Sequence, residues 1–447
     1  MNEATLLPKR FWSISDDQGR SNAKIYRIQK EKFQFKGDEI RGLFKKYKPS
    51  SRAWITAGAG HSSRALPDNC FVLQFNGPRT FNESPSSWFD ASSSIRDVLT
   101  DLSRQNQTLP VVPSEPDVSI GGIISAGGYG AHSVRWGAFC DHVKAMDVVT
   151  ADGELTRCSP QKNKELFHKV CFGMGGGGLI LRAQLNTIPR QTQSMTYHQW
   201  KFNNLKDLTL FASQLETFLK QIEYLKGQFW NNGYFLSILV PGSLQKLIQR
   251  LPKFNASVVY EGHDLDIRDR IAGRISAKGM SLTQQRWFDY VLPFAALPDF
   301  MSKVREVTPR YILNSGDFRI LMLLSRLGGN ASAFSDLSPV QKIDGEYAWG
   351  VGCYFGPRIS AELRNNQRIS AIHSYLATLC SDLGGEAYLP ASPPFPVAVL
   401  QKFSVGRKIL QLLDFDKSCE QACFRSHLLR SRIQPSDLLA WKRIEDS

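Results

Sequence analysis

The stretch Thr108–Glu154, TLPVVPSEPDVSIGGIISAGGYGAHSVRWGAFCDHVKAMDVVTADGE, decides how the chain is interpreted, because its glycines are crowded into one short window. The glycines of this window are Gly121, Gly122, Gly127, Gly128, Gly130 and Gly137. Glycine between strand-like runs favours the close approach of a ligand or of another backbone, since no side chain stands in the way. A glycine-rich surface loop is the alternative, and this window alone does not separate the two interpretations.

A second side-chain-poor loop lies upstream, in Trp54–Phe75, WITAGAGHSSRALPDNCFVLQF. Successive backbone N–H groups in such a loop form an anion-binding nest, which suits a phosphate. An apolar run stands on either side, and this order of strand, loop and strand differs from the dinucleotide fingerprint, which needs a helix after the loop. The same test excludes Gly173–Gly178, GMGGGG. The two loops together predict a large phosphate-bearing cofactor.

The charge of the chain is basic, with 55 Lys and Arg against 41 Asp and Glu and a formal net charge of +14. Such a balance favours anionic partners, among them nucleic acid, acidic lipid and phosphorylated ligands. No nucleic-acid-binding motif accompanies the charge, and basic charge alone is weak evidence for that class. We therefore expect no nucleic acid partner.

The eight cysteines include no Cys-x-x-Cys pair and no Cys/His group with zinc spacing, so no metal site is predicted. This usage fits a reducing compartment. The N-terminal stretch has no apolar core typical of a signal peptide, and no run approaches the ~18 apolar residues that span a bilayer. We expect a cytoplasmic protein without a transmembrane segment and, at 447 residues, with two domains.

Periodicity predicts the secondary-structure elements. Strands are expected at Ala53–Ala57, Cys70–Phe75, 179–189, 234–242 and 257–262, and a hairpin at 145–159. A helix follows Ser94 as its N-cap, another opens at Ser159-Pro160, and a long amphipathic helix covers 205–227. One more helix, Asn366–Leu383, ends at Gly384-Gly385, a glycine C-cap.

Five blocks of the sequence carry a resemblance to a known family. They are GAGHSS, PSEPDVSIGGIISAGGYG, WGAFCDHVKAMDVVTADGELTRCSP, ELFHKV and GGGGLILRAQL. Their order and spacing resemble the FAD-binding module of the vanillyl-alcohol oxidase/p-cresol methylhydroxylase (VAO/PCMH) flavoprotein superfamily. Within it the chain looks most like the cytokinin dehydrogenase, decaprenylphosphoryl-ribose oxidase and sterol Δ24-reductase branches. WFDYVLPFAALPDF (Trp287–Phe300) and GGEAYLP (Gly384–Pro390) are similar to cytokinin dehydrogenase motifs.

The resemblance implies an α+β fold with three parts. Residues 1–190 would form a two-subdomain PCMH-type FAD-binding domain. Residues 191–400 would form an α+β cap domain for the substrate, with an antiparallel sheet and flanking helices. Residues 401–447 would be a helical segment that packs back on the FAD domain.

The resemblance also implies how each part of FAD is held. The pyrophosphate would lie on the backbone of Gly58, Ala59, Gly60, His61 and Ser62, together with Ser119, Gly121 and Gly122. The isoalloxazine would lie beside Gly127, Gly128, Tyr129 and His132. Val143 and Ile180 would offer main-chain contacts on the adenine side. His61 stands where many members attach the flavin covalently, and non-covalent binding is the alternative.

The catalytic base is where the sequence departs from the cytokinin dehydrogenases, which carry an aspartate seven residues before the Gly-Gly pair. That position is Ser114 here. Glu115 and Asp117 are near, but side chains alternate along a strand, so neither substitutes directly. Tyr129 and His132 follow the second glycine pair, and we take them as the catalytic candidates; packing against the ring is their alternative role.

The function implied is removal of a hydride from a small-molecule alcohol or amine to flavin N5, with oxygen, a quinone or another carrier as electron acceptor. The cofactor would supply the chemistry, and the protein binding and orientation. A non-catalytic flavin-fold protein and a basic anion- or nucleic-acid-binding protein are the alternatives.

Overall fold

Alternation of buried and half-buried residues marks the central strands of a large antiparallel sheet. In Phe318–Arg326, FRILMLLSR, the buried side chains Phe318, Ile320, Met322 and Leu324 project to one face, and the residues between them project to the other. Period-two patterning of this kind places one face against a core. The buried face is covered by three helices, Leu205–Gln214, Leu297–Val307 and Gln367–Asp382.

The computed structural model describes residues 24–29, 54–57, 71–76, 87–150, 154–190, 195–230, 233–241, 256–262, 286–314, 316, 318–327, 337–355, 367–391 and 395–416. Its strands are β1 (Lys24–Gln29), β2 (Trp54–Ala57), β3 (Phe71–Asn76), β4 (Trp88–Asp90), β5 (Gln107–Thr108), β6 (Val143–Val149), β7 (Leu155–Cys158), β8 (Leu179–Leu185), β9 (Ile188–Pro189), β10 (Met195–Phe202), β11 (Tyr224–Trp230), β12 (Gly233–Pro241), β13 (Ala256–Gly262), β14 (Arg286–Pro293), β15 (Phe318–Arg326), β16 (Tyr347–Phe355) and β17 (Glu386–Ala387). Its α-helices are α1 (Ile95–Arg104), α2 (Ile120–Ala126), α3 (Ser133–Trp136), α4 (Lys164–Val170), α5 (Leu205–Gln214), α6 (Leu297–Val307), α7 (Arg310–Leu313), α8 (Gln367–Asp382), α9 (Val397–Leu400) and α10 (Ser404–Asp416).

Two antiparallel sheets organise the described chain. The large sheet has the order β13-β10-β12-β11-β15-β16-β14-β17, and the smaller one has the order β4-β8-β6-β7. β1, β3 and β2 pair in parallel, and β5 pairs with β9. Helices combined with mainly antiparallel sheets confirm the predicted α+β class.

The two sheets share part of a core. The core of the smaller sheet includes Ile120, Ile124, Val148 and Phe167, and side chains from the large-sheet region, among them Val291, Val340 and Ala348, join it. Val291 and Ala348 lie on the face of the large sheet that α5, α6 and α8 leave free. That face is therefore turned toward the smaller sheet.

The C-terminal helix α10 is fastened at its start by an acidic side chain. The buried Glu386 carboxylate of β17 accepts hydrogen bonds from the backbone N–H groups of Ser404 (2.9 Å) and Val405 (3.3 Å). Negative charge at a helix N-terminus is stabilising, because the unpaired N–H groups point at it. Val405 and Ile409 then pack into the core of the large sheet.

Several predicted elements are confirmed. Ser94 caps α1 by accepting the N–H of Asp97 at 3.2 Å, and β6 and β7 form the predicted hairpin. α8 ends before Gly384, whose φ is +75°. β2, β3, β8, β12 and β13 also fall on predicted strands.

Two predicted helices are wrong. The helix expected at Ser159-Pro160 begins at Lys164 instead, since the Ser159 hydroxyl accepts the N–H groups of Gln161 and Lys162 and holds a turn there. The long helix over 205–227 ends at Gln214, continues as a 3-10 helix over Glu216–Gln221, and gives way to β11. Tertiary pairing of β11 with β12 and β15 overrides the local helical periodicity.

Among the described residues, no helix is both long and apolar enough to cross a membrane. The same part of the chain shows no group of His, Cys, Asp and Glu arranged to hold a metal ion.

His373 is an imidazole enclosed in the core of the large sheet. Its ring stacks on Phe288 with centroids 4.7 Å apart and lies 4.5 Å from the ring of Phe395. Burial lowers the pKa of His373 to about 3. The side chain therefore stays neutral in the folded protein wherever an exposed histidine would be protonated.

We predict that His373 makes the protein less stable in acid. Below pH ~6.5 the unfolded state takes up a proton that the folded state refuses, so the free energy of unfolding falls by up to about 1.4 kcal/mol per pH unit from this residue. His373→Leu should reduce that loss between pH 7 and pH 5 in urea unfolding. Phe395→Leu is the control, because it loosens the same packing without removing a titratable group. Equal pH dependence in wild type and His373→Leu would contradict the prediction.

Candidate functional site

The first glycine pair lies in the first turn of α2. Ser119 is the N-cap, and its hydroxyl accepts the Gly122 N–H at 3.2 Å. The Gly121 N–H donates to the carbonyl oxygen of Ala91 at 2.8 Å. A Cβ at Gly121 would stand 3.0 Å from the Ala91 Cβ. These glycines therefore open a helix rather than lie between two strands, and both N–H groups have acceptors within the chain.

The second glycine pair reverses the chain after α2. Gly127 has φ +84° and Gly128 φ +24°, conformations that side chains rarely adopt. A Cβ at Gly127 would stand 1.8 Å from the ring of Phe172, and one at Gly128 would stand 2.1 Å from Ile123 Cγ1. Phe172 itself has φ 63°, a genuine outlier for a bulky residue, and its N–H donates to the Ile124 carbonyl at 3.0 Å. Close packing of protein on protein explains both glycines.

The other predicted cofactor contacts are spread out. Gly58, Ala59, Gly60, His61 and Ser62 lie outside the described residues. Val143 pairs with Leu185, whereas Ile180 pairs with Val148. The two predicted adenine contacts thus lie about five residues apart along the β6–β8 ladder, roughly 16 Å at the usual rise of a strand.

Tyr129 follows the second glycine pair and joins an aromatic group, the Tyr129 trio. Its ring lies 6.1 Å from Phe172 and 6.1 Å from Tyr388, and the rings of Phe172 and Tyr388 lie 5.7 Å apart at 90°. Edge-to-face geometry of this kind is favourable for aromatic pairs. The Tyr388 hydroxyl donates to the carbonyl oxygen of Ala126 at 2.8 Å. The trio therefore fastens the glycine-rich segment to the end of the large sheet.

Among the described residues, the buried Tyr129 hydroxyl has no partner within hydrogen-bond distance. Burial raises its pKa well above the usual value, the neighbouring Tyr388 adds to the rise, and the Ser338 hydroxyl acts in the opposite direction. In the described part of the chain the buried Ser338 hydroxyl likewise has no partner within hydrogen-bond distance, but it lies close enough to the Tyr129 hydroxyl to lower the Tyr129 pKa. Buried polar groups are normally satisfied, so two such hydroxyls fit a bound group with polar atoms at this end of the site.

These residues fit FAD at its ring end. The buried hydroxyls of Tyr129 and Ser338 would contact polar atoms of the ring. For the pyrophosphate, the fit at Gly121 and Gly122 is poorer, because their N–H groups already donate within the chain. The upstream loop that begins at Gly58 is the remaining candidate for that role.

His132 lies three residues beyond Tyr129 and has different neighbours. It is buried, and the Tyr224 ring meets it edge to face at 5.4 Å. The adjacent Ala131 carbonyl accepts the N–H of Leu225 in β11 at 2.9 Å. The two catalytic candidates thus share one segment, but Tyr129 contacts the end of the large sheet and His132 its middle.

The helix α3 is held on the large sheet by a buried acid. Glu223 forms an ion pair with Arg135 and accepts a hydrogen bond from the indole N–H of Trp136 at 3.3 Å. Glu223 is 1% exposed, so its charge needs these partners. This contact sets the distance between the glycine-rich segment and β11.

The face of the large sheet turned toward this segment carries polar side chains among apolar ones such as Met195, Leu239 and Val291; we call it the polar face. Strand register places Gln199, Ser237 and Lys226 in one row across β10, β12 and β11. Gln199 donates to the Ser237 hydroxyl at 2.9 Å, and Lys226 is 4% exposed. Farther across the sheet, Gly350 and Gly352 leave two positions of β16 on this face without side chains. A polar, partly enclosed surface of this kind suits a small polar ligand.

Asp289 is a residue of the polar face that the sequence analysis missed. Its strand β14 reads RWFDYVLP, and a single acid at a site-facing position between apolar residues is the signal that could have found it. Burial raises the pKa of the Asp289 carboxyl to about 8. Strongly perturbed acids in clefts are candidates for functional groups.

The acids near Ser114 are less suited to catalysis. Residues 109–118 form no strand, and Asp117 is exposed and paired with Arg96 at 2.7 Å. The Glu115 carboxylate accepts the Asp117 N–H at 3.2 Å. Both acids thus belong to a surface turn rather than to the polar face.

Comparison with known proteins finds relatives for part of the chain. Residues 37–159 match a family described as an FAD binding domain. An uncharacterized oxidoreductase, ORF5 in the fasciation locus of Rhodococcoides fascians, is 30% identical over 152 residues, 33% of this chain and 34% of that protein. Cytokinin dehydrogenase 2 of Arabidopsis thaliana is 33% identical over 144 residues, 30% of this chain and 28% of that protein. L-gulonolactone oxidase of Scyliorhinus torazame is 28% identical over 200 residues, 43% of each chain.

These matches cover less than half the length of each relative. Within that span they confirm the predicted FAD-binding domain and FAD as its cofactor.

We predict that Gly127→Ala lowers stability far more than Gly316→Ala. Both positions have positive φ, +84° and +65°, but a Cβ at Gly127 meets the Phe172 ring, whereas no described residue lies within 4 Å of one at Gly316. Backbone strain alone costs roughly 1–2 kcal/mol, and overpacking adds roughly 1–3 kcal/mol at Gly127. Urea unfolding measures both variants. Equal losses would show that the Phe172 contact is unimportant.

We predict that Asp289→Asn raises stability, and more so at pH 8 than at pH 5. Because the folded pKa is about 8 and the unfolded pKa about 3.8, the folded state holds a proton that the unfolded state releases as the pH rises between these values. As the pH rises, this proton release from the unfolded state lowers the free energy of unfolding of the wild-type protein by at most about 1.4 kcal/mol per pH unit. Asp299→Asn, an exposed acid, is the control for urea unfolding at the two pH values. An equal increase in the free energy of unfolding of Asp289→Asn at pH 5 and at pH 8 would contradict the prediction.

Proposed function

We propose that this chain, which carries the FAD-binding domain of the VAO/PCMH-type oxidoreductases, removes a hydride from a small-molecule alcohol or amine. The observation that carries the proposal is the Tyr129 trio, through which the glycine-rich segment meets the polar face of the large sheet. A substrate held on that face would lie beside the segment predicted to line the flavin. Bound FAD supplies the two-electron acceptor chemistry, and the protein supplies binding and orientation.

The protein's own groups would then do four things. Gly127 and Gly128 set the turn that presents Tyr129, and Phe172 and Tyr388 fix its ring. The polar row that ends at Lys226 would bind the substrate's polar groups. Tyr129 and His132 would contact the reacting group and orient it, and general-base catalysis, whichever residue supplies it, is worth roughly 10²–10⁴-fold in rate. Enclosure between the segment and the sheet would keep water away.

The domain organisation follows the same proposal. The smaller sheet lies within 88–185 and the large one within 195–387, which supports an FAD domain over 1–190 and a substrate cap over 191–400. We keep 401–447 as a separate C-terminal segment, whose described part contains α10, and residues 417–447 lie outside the described residues. A small-molecule substrate and an electron acceptor, whether oxygen, a quinone or another carrier, are the expected partners.

The names of the relatives narrow the substrates to test. They include a cytokinin dehydrogenase, an L-gulonolactone oxidase and a sterol reductase. A panel should therefore contain an isopentenyl adenine, aldonolactones, sugar alcohols, a prenyl-phosphate sugar and a sterol. Loss of flavin absorbance under anaerobic conditions identifies a substrate without knowledge of the electron acceptor.

We predict that the purified protein is yellow, with flavin absorption near ~450 nm that at least one panel member bleaches. If His61 carries the covalent link, flavin stays with the chain after acid precipitation, and His61→Ala releases it. His142→Ala is the control, since that imidazole is half-buried and bonded to the Trp136 carbonyl at 2.8 Å. A colourless preparation that gains nothing from FAD contradicts the proposal. Flavin without bleaching supports a non-catalytic flavin protein instead.

A further inference from the structure

The Asp289 carboxyl group occupies space that glycine leaves free on the neighbouring strand. Register places Asp289 opposite Gly352 of β16. A Cβ at position 352 would stand 2.4 Å from Asp289 Oδ1 and 2.7 Å from the ring of Tyr354. The carboxyl group and the phenol ring therefore lie together over the bare backbone of β16. Gly350, two residues earlier, extends this depression in the polar face.

A short chain of contacts connects Asp289 to the glycine-rich segment. The Asp289 carbonyl oxygen accepts the Tyr388 N–H at 3.0 Å. The Tyr388 ring meets Tyr129, and its hydroxyl meets the Ala126 carbonyl. Tyr388 therefore bridges the backbone of Asp289 and the segment predicted to line the flavin.

We propose that Asp289 takes the proton from the substrate hydroxyl or amine, the role that Ser114 cannot perform. This rests on the proposed function. As the C–H bond breaks, hydrogen leaves as a hydride with both bonding electrons, the equivalent that a bound flavin takes. The hydroxyl or amine on that same carbon loses its proton as its O–H or N–H bond breaks. The electron pair of the broken O–H or N–H bond then forms the second bond of the carbonyl or imine product. The released proton forms an O–H bond with the Asp289 carboxylate.

The surroundings of Asp289 suit a proton acceptor that works above about pH 8, where the carboxyl group is ionised. Tyr290 on β14 and Cys353 and Tyr354 on β16 interact electrostatically with Asp289. Glu386 lies on the neighbouring strand β17, opposite Val291, and Tyr388 connects the Asp289 backbone to Tyr129. Lys226 and Arg319, cations of the polar face, lie three and two strands away, which is roughly 14 and 10 Å across the sheet, and each is displaced by two further positions along its strand. Burial therefore dominates, and the raised pKa of about 8 gives a carboxylate that binds a proton readily.

The test compares three variants of the full-length flavoprotein. Asp289→Asn removes the acceptor with little change of shape. Gly352→Ala keeps the carboxyl group but displaces it. Asp299→Asn is the matched control on the opposite, helical side of the large sheet.

Two measurements are made on each variant. Anaerobic bleaching of the flavin by the best panel substrate is followed from pH 6 to pH 10. Separately, the 13C carboxyl signals of protein labelled with [4-13C]aspartate are titrated, and the signal missing in Asp289→Asn is assigned to Asp289.

We expect the wild-type bleaching rate to rise through about pH 8 and the Asp289 signal to titrate there. Asp289→Asn should be about 10²–10⁴-fold slower without that rise, Gly352→Ala at least about tenfold slower, and Asp299→Asn unchanged. An Asp289 signal that titrates near pH 4 overturns the proposal. So does an unaltered rate profile in Asp289→Asn, although the proposed oxidation would then stand. Failure of every substrate to bleach wild type overturns the oxidation, and the proton acceptor with it.

Discussion

The site depends on the contact between a bare backbone and an aromatic ring. Gly127 carries no Cβ, so the Phe172 ring lies directly against the turn that ends α2. Phe172 adopts a strained left-handed backbone to reach it. Strain of this kind persists only where the surrounding structure over-determines it. Tyr388 closes the arrangement from the large sheet, and Tyr129 is thereby held with its hydroxyl in a buried position.

Local sequence signals predicted local structure well. Ser94 with Asp97 specified the start of α1, and the hairpin of β6 and β7 followed from its turn residues. The segment 205–227 shows the limit of such signals. Its apolar residues recur at helical spacing, yet Leu225 is buried inside a sheet, because pairing with two distant strands outweighs propensity. No property of the segment by itself reveals those partners.

The candidate site was predictable only on its glycine-rich side. The motif spacing identified Gly127 and Tyr129, although the structure shows that the glycine accommodates a protein ring as well as a tight turn. Asp289 was not predictable in this way. Its environment is made by Gly352, more than sixty positions later in the sequence, through a strand register that arises only on folding. An acid in a strand gains its unusual proton affinity from burial, and burial is a property of the assembled sheet.

The hydrogen bond from Tyr388 to Ala126 joins residues 262 positions apart. During synthesis the glycine-rich segment leaves the ribosome first and, at a translation rate of 5–20 residues per second, waits roughly 13–50 s for its partner. Through that interval the Phe172 ring has no Tyr388 to cover it. The nascent chain thus exposes an aromatic surface for many times the period that secondary structure needs to form.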